Sequence, residues 1–255
     1  MKTLRTTMLL TFMLLLTTNF LVAQNDSDMQ MYAIHMDPVY PSKINDYETV
    51  AKKLVEACSK YNTEMAWSTF VFDGFNYTYL SPLKNMAELD KNGFADLREK
   101  MGKDAFAELF RSFNDYYDRH IDYILVLDKE LSYMPKGITI TPEGLNYRHN
   151  TLFYFAPKDY DKMIQVAKDF KKLYADKGST QYYRVYHSGF GTDGSYLLVA
   201  EASMSAATFE ADEAKNNELL GDQAKELYSR LLAVLLKTET MTGYSRPDLS
   251  YSPKQ

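Results

Sequence analysis

The phrase Leu131-Ser132-Tyr133-Met134-Pro135-Lys136 recurs as Leu249-Ser250-Tyr251-Ser252-Pro253-Lys254, 118 residues further on. No other feature restricts the fold as much. Walking back from the two copies, Glu108-Leu109-Phe110 matches Glu226-Leu227-Tyr228 at the same spacing. Val50-Ala51-Lys52 matches Val166-Ala167-Lys168, and Trp67 and Phe70 match Tyr183 and Tyr186, at a spacing of 116. Each match alone is weak. Their common order and near-constant offset are what an internal duplication leaves behind, with loop insertions absorbing the drift. The chain reads as two similar units, 25–137 and 148–255, joined by a linker, 138–147, that carries Pro142 and Gly144.

Both units show the same order of patterns. In the first, Met31–Met36 reads as a strand. Ile44, Tyr47, Val50, Ala51, Leu54, Val55, Cys58 and Tyr61 then recur at three- and four-residue steps, the mark of an amphipathic helix. Asn45 and Glu48 suggest a capping box. Met65–Phe72 and Phe75–Ser81 read as a hairpin around Asp73-Gly74. A short helix near Lys84–Lys91 and a longer one with Phe106, Leu109, Phe110, Phe113, Tyr116, Tyr117, Ile121 and Ile124 on its stripe follow. Leu131-Ser132-Tyr133 closes the unit as a short strand stopped by Pro135. The second unit repeats this. It has a strand at Leu152–Phe155, a helix from Tyr160 to its Gly178 cap, and a hairpin of Gln181–Ser188 and Ser195–Glu201. A helix with Leu227, Leu231, Leu232 and Leu235 and a closing strand, Leu249–Tyr251, complete it.

Each unit is thus β-α-β-β-α-β, the ferredoxin-like arrangement, with helices on one face of its sheet. The other face must be covered, and two units in one chain can cover each other. The fold class is α+β: two ferredoxin-like repeats closing into one barrel with the helices outside. Edge strands need partners. Leu131–Tyr133 is therefore expected beside Tyr182–Tyr186, and Leu249–Tyr251 beside Ala66–Phe70, one seam each.

Residues 1–24 stand apart. Lys2 and Arg5 precede an apolar run from Met8 to Leu16, and a polar stretch begins at Asn25. This is the layout of a signal peptide, too short in its apolar part to span about 30 Å of hydrocarbon. Export to the periplasm or medium is expected, with no membrane association once the segment is removed. The net charge of −5 becomes more negative when Lys2 and Arg5 are lost, and no basic patch marks a nucleic-acid partner. The single cysteine, Cys58, has no internal disulfide partner and falls on a helix stripe as a buried thiol. Self-association is not readable.

The order of elements, the broken second helix and the short closing strand resemble a tandem form of the dimeric α/β barrel superfamily, over residues 30–255. That group includes the antibiotic-biosynthesis monooxygenase-like proteins. The resemblance implies three activities: cofactor-independent oxygenation of phenolic compounds, haem binding or degradation, and small-molecule binding without catalysis. Chlorite-dismutase-like members hold haem iron through a helical His of the second half. Here the second half has His149 and His187, both on strands, and none on its helices. Trp67 and His120 do not reproduce the haem-degrading set, so no cofactor is assigned. His35 and Asp37 share a strand face, but a third ligand at fixed spacing is absent, so no metal is assigned either. No Gly-x-Ser-x-Gly elbow occurs. Gly189-x-Gly191-x-x-Gly194 joins two strands and opens no helix, so it is a turn and not a dinucleotide loop.

The barrel lumen remains as the candidate site. Strand alternation puts Tyr32, Ile34 and Met36 on the more apolar face, assigned to the helices, so that His35 and Asp37 face inward. Tyr182, Arg184 and Tyr186 share one face of the hairpin, with Ser68 and Phe70 as their counterparts in the first unit. A buried Arg needs an anion, a carboxylate or water. The constellation has His35 and Arg184 as candidate catalytic residues, and Asp37, Tyr182, Tyr186, Ser68 and Phe70 as ligand-binding ones. It suits a small aromatic or acidic organic ligand and cofactor-independent oxygenase- or isomerase-like chemistry. Whether the chain is an enzyme stays open: a non-catalytic binding or interaction protein is the alternative. An open lumen holding His35 and Arg184 together favours the first reading, and a lumen filled by Tyr and Phe side chains opposes it.

Overall fold

The computed structural model describes residues 28–254; the expected signal segment lies outside them. Eight antiparallel strands close a barrel in the order β1-β3-β2-β8-β5-β7-β6-β4. They are β1 (Met29–Pro38), β2 (Ser68–Phe72), β3 (Asn76–Leu83), β4 (Ile121–Tyr133), β5 (Tyr147–Phe155), β6 (Tyr183–Ser188), β7 (Tyr196–Ser203) and β8 (Leu235–Ser245). Among the described residues six α-helices lie outside: α1 (Ile44–Tyr61), α2 (Ala95–Met101), α3 (Lys103–Arg111), α4 (Tyr160–Lys177), α5 (Ala206–Leu220) and α6 (Asp222–Leu232). The periodic stripes account for α1 and α4. Each buries its stripe against the sheet and ends in the left-handed conformation, at Asn62 and at Gly178. Among the described residues no helix is long and apolar enough to cross a membrane.

The seams fall where the repeated phrase predicts. Tyr133 pairs with Tyr183 at the junction of β4 and β6, and Tyr251 forms a bridge with Trp67. The two phrases make the same bonds. Ser132 Oγ accepts from Val185 N (2.9 Å) and donates to Asp128 O (2.6 Å). Ser250 Oγ accepts from Thr69 N (2.9 Å) and donates to Arg246 O (2.9 Å). Tyr133 OH donates to Ser179 O and Tyr251 OH to Thr63 O, at 3.0 and 3.1 Å. Leu131 and Leu249 are 1% and 0% exposed. The phrase is a clasp that ties each unit's end to the other unit's hairpin. Glycine admits the close backbone contact beside it: a Cβ on Gly243 of β8 would fall on Val71 O of β2.

Three readings of the sequence need correction. The stripe through Phe113 to Ile124 is not one helix. Helix α3 stops at Arg111, and Ile121 and Ile124 belong to β4, whose β-branched and aromatic run spans 13 residues to reach both β1 and β6. Likewise Leu235 opens β8, so the second unit's last strand is β8. Leu249–Tyr251 follows it as a 3-10 turn and one bridge. The Asn45/Glu48 capping box does not form. Pro41–Lys43 makes a 3-10 turn that runs straight into α1, and Glu48 instead takes Tyr77 OH and Arg246.

Candidate functional site

The interior offers three places where polar side chains meet: the lumen, and the layer between sheet and helices in each half.

The lumen is packed with Ile34, Phe70, Phe72, Leu80, Leu125, Leu127, Leu152, Tyr186 and Leu198. The space left measures about 90 Å3. Arg184 and Tyr186 reach it as expected, with Phe70 opposite. Arg148, not foreseen, joins them and sits over the Phe70 ring at 5.2 Å. No carboxylate lines this space among the described residues. The linker supplies the acceptors: Arg184 Nη1 donates to Thr139 O (2.7 Å) and Ile140 O (2.9 Å), and Arg148 Nη1 to Tyr147 O (3.0 Å) and Leu145 O. Burial, aided by repulsion from Arg184, pushes the Arg148 pKa down to about 10. Two guanidinium groups thus fasten the linker across one end of the barrel. Ser68 lies at that mouth, and Tyr182 outside the lumen against Tyr133.

His35 and Asp37 are not in the lumen. Ile34 and Met36 line it instead, so the faces of β1 are the reverse of those expected. The reason is that both sheet faces are covered here. The helix-side layer opens to water at its rim, where the His35 side chain stays 42% exposed, so it tolerates polar groups there. In that layer Asp37, 3% exposed, accepts from Tyr47 OH (2.7 Å) and lies 2.8 Å from His120 Nδ1 and 3.1 Å from His35 Nε2. His35 Nδ1 meets Asp122 Oδ1 at 2.7 Å, and Tyr47 OH meets Tyr79 OH at 2.7 Å. Burial opposes charge on His35, but its bonds to Asp37 and then Asp122 outweigh that and push its pKa up to about 9. His120 lies in the irregular segment before β4, not on a helix, and supplies the third ligand-type group that the sequence did not reveal. Its partner Asp37 is 83 positions away, a separation no local pattern can bridge.

In the second half the same layer holds a cavity of about 160 Å3 between α4, α5, α6 and the outer face of β5, β6 and β7. Its walls include Phe153, Met163, Val166, Phe170, Val199 and Leu231. One row of paired residues closes an end: Tyr183 opposite Glu201, and Glu201 opposite His149. Gln181 Nε2 donates to Glu201 Oε1 (2.9 Å), His149 Nδ1 stands 3.7 Å from Glu201 Oε2, and Phe209 stacks on His149 at 4.3 Å. His149 Nδ1, Gln181 Oε1 and Tyr183 OH are buried and find no hydrogen-bond partner among the described residues. Burial raises the pKa of Glu201, and pushes Tyr174 and Tyr183 beyond the ordinary phenol range. The sequence carried a signal for this site: Leu197, Val199 and Glu201 share one face of β7, so Glu201 ends an apolar row.

A closed eight-stranded barrel of two fused ferredoxin-like sheets also occurs in solved structures. An anthrone oxidase-like protein superposes with a TM-score of 0.57 at 13% identity, over 85% of this chain and 91% of that one. The chain has the dimeric α/β barrel fold. A candidate monooxygenase from Lactobacillus acidophilus NCFM matches with a TM-score of 0.53 at 10% identity, over 85% of this chain and 94% of that one. A candidate chlorite dismutase matches at 0.50 and 11%, over 86% and 96%. At these identities the dimeric α/β barrel likeness is one of fold. No protein-family model and no curated protein matches the sequence.

Proposed function

We propose that the chain binds a small single-ring aromatic molecule with an acidic hydroxyl in the second-half cavity, and that Glu201 serves there as an acid–base group. The observation that supports this reading is the convergence of three polar side chains on one mainly apolar cavity beside Glu201: Gln181 Oε1 and Tyr183 OH are buried with no hydrogen-bond partner, and His149 Nδ1 has only its 3.7 Å approach to Glu201. Buried polar atoms want partners, and a ligand hydroxyl is one. The volume selects the ligand: roughly 150 Å3 of apolar cavity accepts a benzene-sized guest. Fused three-ring systems exceed it. A carboxylate with a raised pKa is a better base, and it can take the proton of a phenol held 2.6–3.2 Å away, as general-base geometry requires. Deprotonation makes the ring more electron-rich, and an oxidase-like protein and a monooxygenase are among the structural neighbours.

The lumen is not the site in this reading, because its space is small and its two Arg side chains hold the linker through Nη1, although Nε of each is buried without a partner. Calorimetric titration with p-cresol tests the proposal. Saturable binding that Ala167→Phe abolishes and Glu201→Ala weakens supports it, and binding unaffected by Ala167→Phe overturns it. Oxygen uptake that depends on Glu201 marks an enzyme, while binding without uptake marks a binding protein. In the same reading the chain works outside the cytoplasm after loss of residues 1–24. Amino-terminal sequencing of protein recovered from the periplasm or medium tests that.

A further inference from the structure

The polar cluster of the first half has no part in that reading, yet it is organised around one point. His35, Asp37 and His120 each offer one ligand atom, and these three atoms lie within 4.8 Å of one another. We propose that His35, Asp37 and His120 form a binding site for a divalent transition-metal ion, held through two imidazole nitrogens and one carboxylate oxygen.

The surrounding bonds argue for a ligand set rather than a simple ion pair. Metal-binding imidazoles usually engage a carboxylate or carbonyl through the other ring nitrogen, which fixes the ring. His35 does this: Nδ1 is 2.7 Å from Asp122 Oδ1, and Nε2 is left pointing at Asp37. Asp37 is oriented in the same way. Tyr47 OH occupies Oδ2 at 2.7 Å and is itself bonded to Tyr79 OH, so Oδ1 is turned to both imidazoles. The His120 ring rests on Tyr117, with centroids 4.7 Å apart, and on His35 at 4.9 Å. The ligand groups are therefore held from behind, and on the side facing the common point they meet only one another.

The distances fall only slightly short of what an ion needs. Zinc–nitrogen and zinc–oxygen bonds of about 2.0–2.2 Å in a tetrahedron separate neighbouring donors by about 3.3 Å. The present separations from Asp37 Oδ1 are 2.8 and 3.1 Å, so the imidazoles need to move back by a few tenths of an ångström. They are the groups able to do so: the His35 and His120 side chains are 42% and 45% exposed, and that of Asp37 is 4% exposed. The same exposure gives an ion its way in and leaves its remaining positions to water. Two nitrogens and one oxygen suit zinc, cobalt or iron(II) better than calcium or magnesium, which take oxygen ligands.

The test uses the whole protein after chelator treatment. Cobalt(II) titration followed by visible absorption, with zinc as competitor, is expected to show one saturable site per chain that zinc displaces. His120→Ala is expected to weaken binding more than 100-fold. Asp122→Asn alters only an exposed outer bond and should weaken it about 10- to 100-fold. His187→Ala, two strands away on β6 and bonded to Asp128, should leave it unchanged. If His120→Ala fails to fold, as judged by circular dichroism, Asp122→Asn decides. The absence of a saturable cobalt site, or affinity equal in wild type and Asp122→Asn, overturns the proposal and leaves a proton-linked His–Asp–His cluster.

Discussion

The two helix–sheet layers stand on the same backbone plan and hold opposite contents. Counting 116 residues on, His35 falls on Thr151, Asp37 on Phe153 and Tyr47 on Met163. Tyr79 lies opposite His35, and Val199 opposite Thr151. His35, Asp37, Tyr47 and Tyr79 thus each have a cavity-wall residue as their counterpart. The reverse also holds: His149 and Glu201 correspond to Ala33 and Ser81. Each half places its titratable groups at a different end of one face. The seams, by contrast, are held by the same serine and tyrosine bonds twice. Even there the neighbouring charge is inverted, since Asp128, paired with His187, takes the position that Arg246, paired with Glu48, holds in the other copy. The backbone closure requires the clasp in both halves, whereas the layer behind the sheet needs only to be filled or lined, and so was free to differ.

The largest effect should come from the clasp. Leu131→Ala and Leu249→Ala each remove a fully buried side chain and should cost about 2–5 kcal/mol in urea denaturation, the two values agreeing to within about 1 kcal/mol. A wide gap between them breaks the equivalence of the seams. Next, Tyr47→Phe withdraws the hydroxyl that serves Asp37 and Tyr79 and should cost about 1–3 kcal/mol. The matching change in the apolar half, Met163→Leu, should cost less than about 1.5 kcal/mol. Equal costs would show that the first layer gains nothing specific from its polar bonds.

Ser132→Ala and Ser250→Ala should each lose about 0.5–1.5 kcal/mol, since each takes away one acceptor of a strand N–H. The smallest effect depends on pH. Burial raises the pKa of Glu201, so the native state keeps this proton to higher pH than the unfolded chain does. The stabilisation is complete below the unfolded value near 4.5 and is lost as pH rises through the folded one. Glu201→Gln mimics the protonated form. Its melting temperature should exceed that of the wild type at pH 8 by about 2–4 °C, the shift that roughly 1 kcal/mol produces in a chain of this size, and the two should converge at pH 4. A gain that does not change with pH would place the charge of Glu201 in contact with water.

Much of the architecture can be read directly from local pattern. The stripes of α1 and α4, both hairpins and the doubled Leu-Ser-Tyr phrase are short-range signals, and each names its element and its neighbour. Where two periods compete, local pattern misleads. Ile121 and Ile124 extend a helical spacing, but β4 must be long enough to span both units, and that demand comes from closing the barrel. The same holds at Leu235, where β8 begins.

The site shows the limit more sharply. Period-two alternation correctly put His35 and Asp37 together on one face of β1, and Arg184 and Tyr186 together on one face of β6. Which face looks inward is not a property of either strand, because a barrel inside a helical shell buries both. The sequence by itself determined the duplication, the fold class and the two seams, since each rests on periodicity and repetition along the chain. The tertiary structure alone decided the rest. It brought His120 to Asp37 and His149 to Glu201, and it brought two Arg side chains to the linker's carbonyls. Those meetings depend on how strands far apart in sequence are set in register, and register is fixed only when the barrel closes.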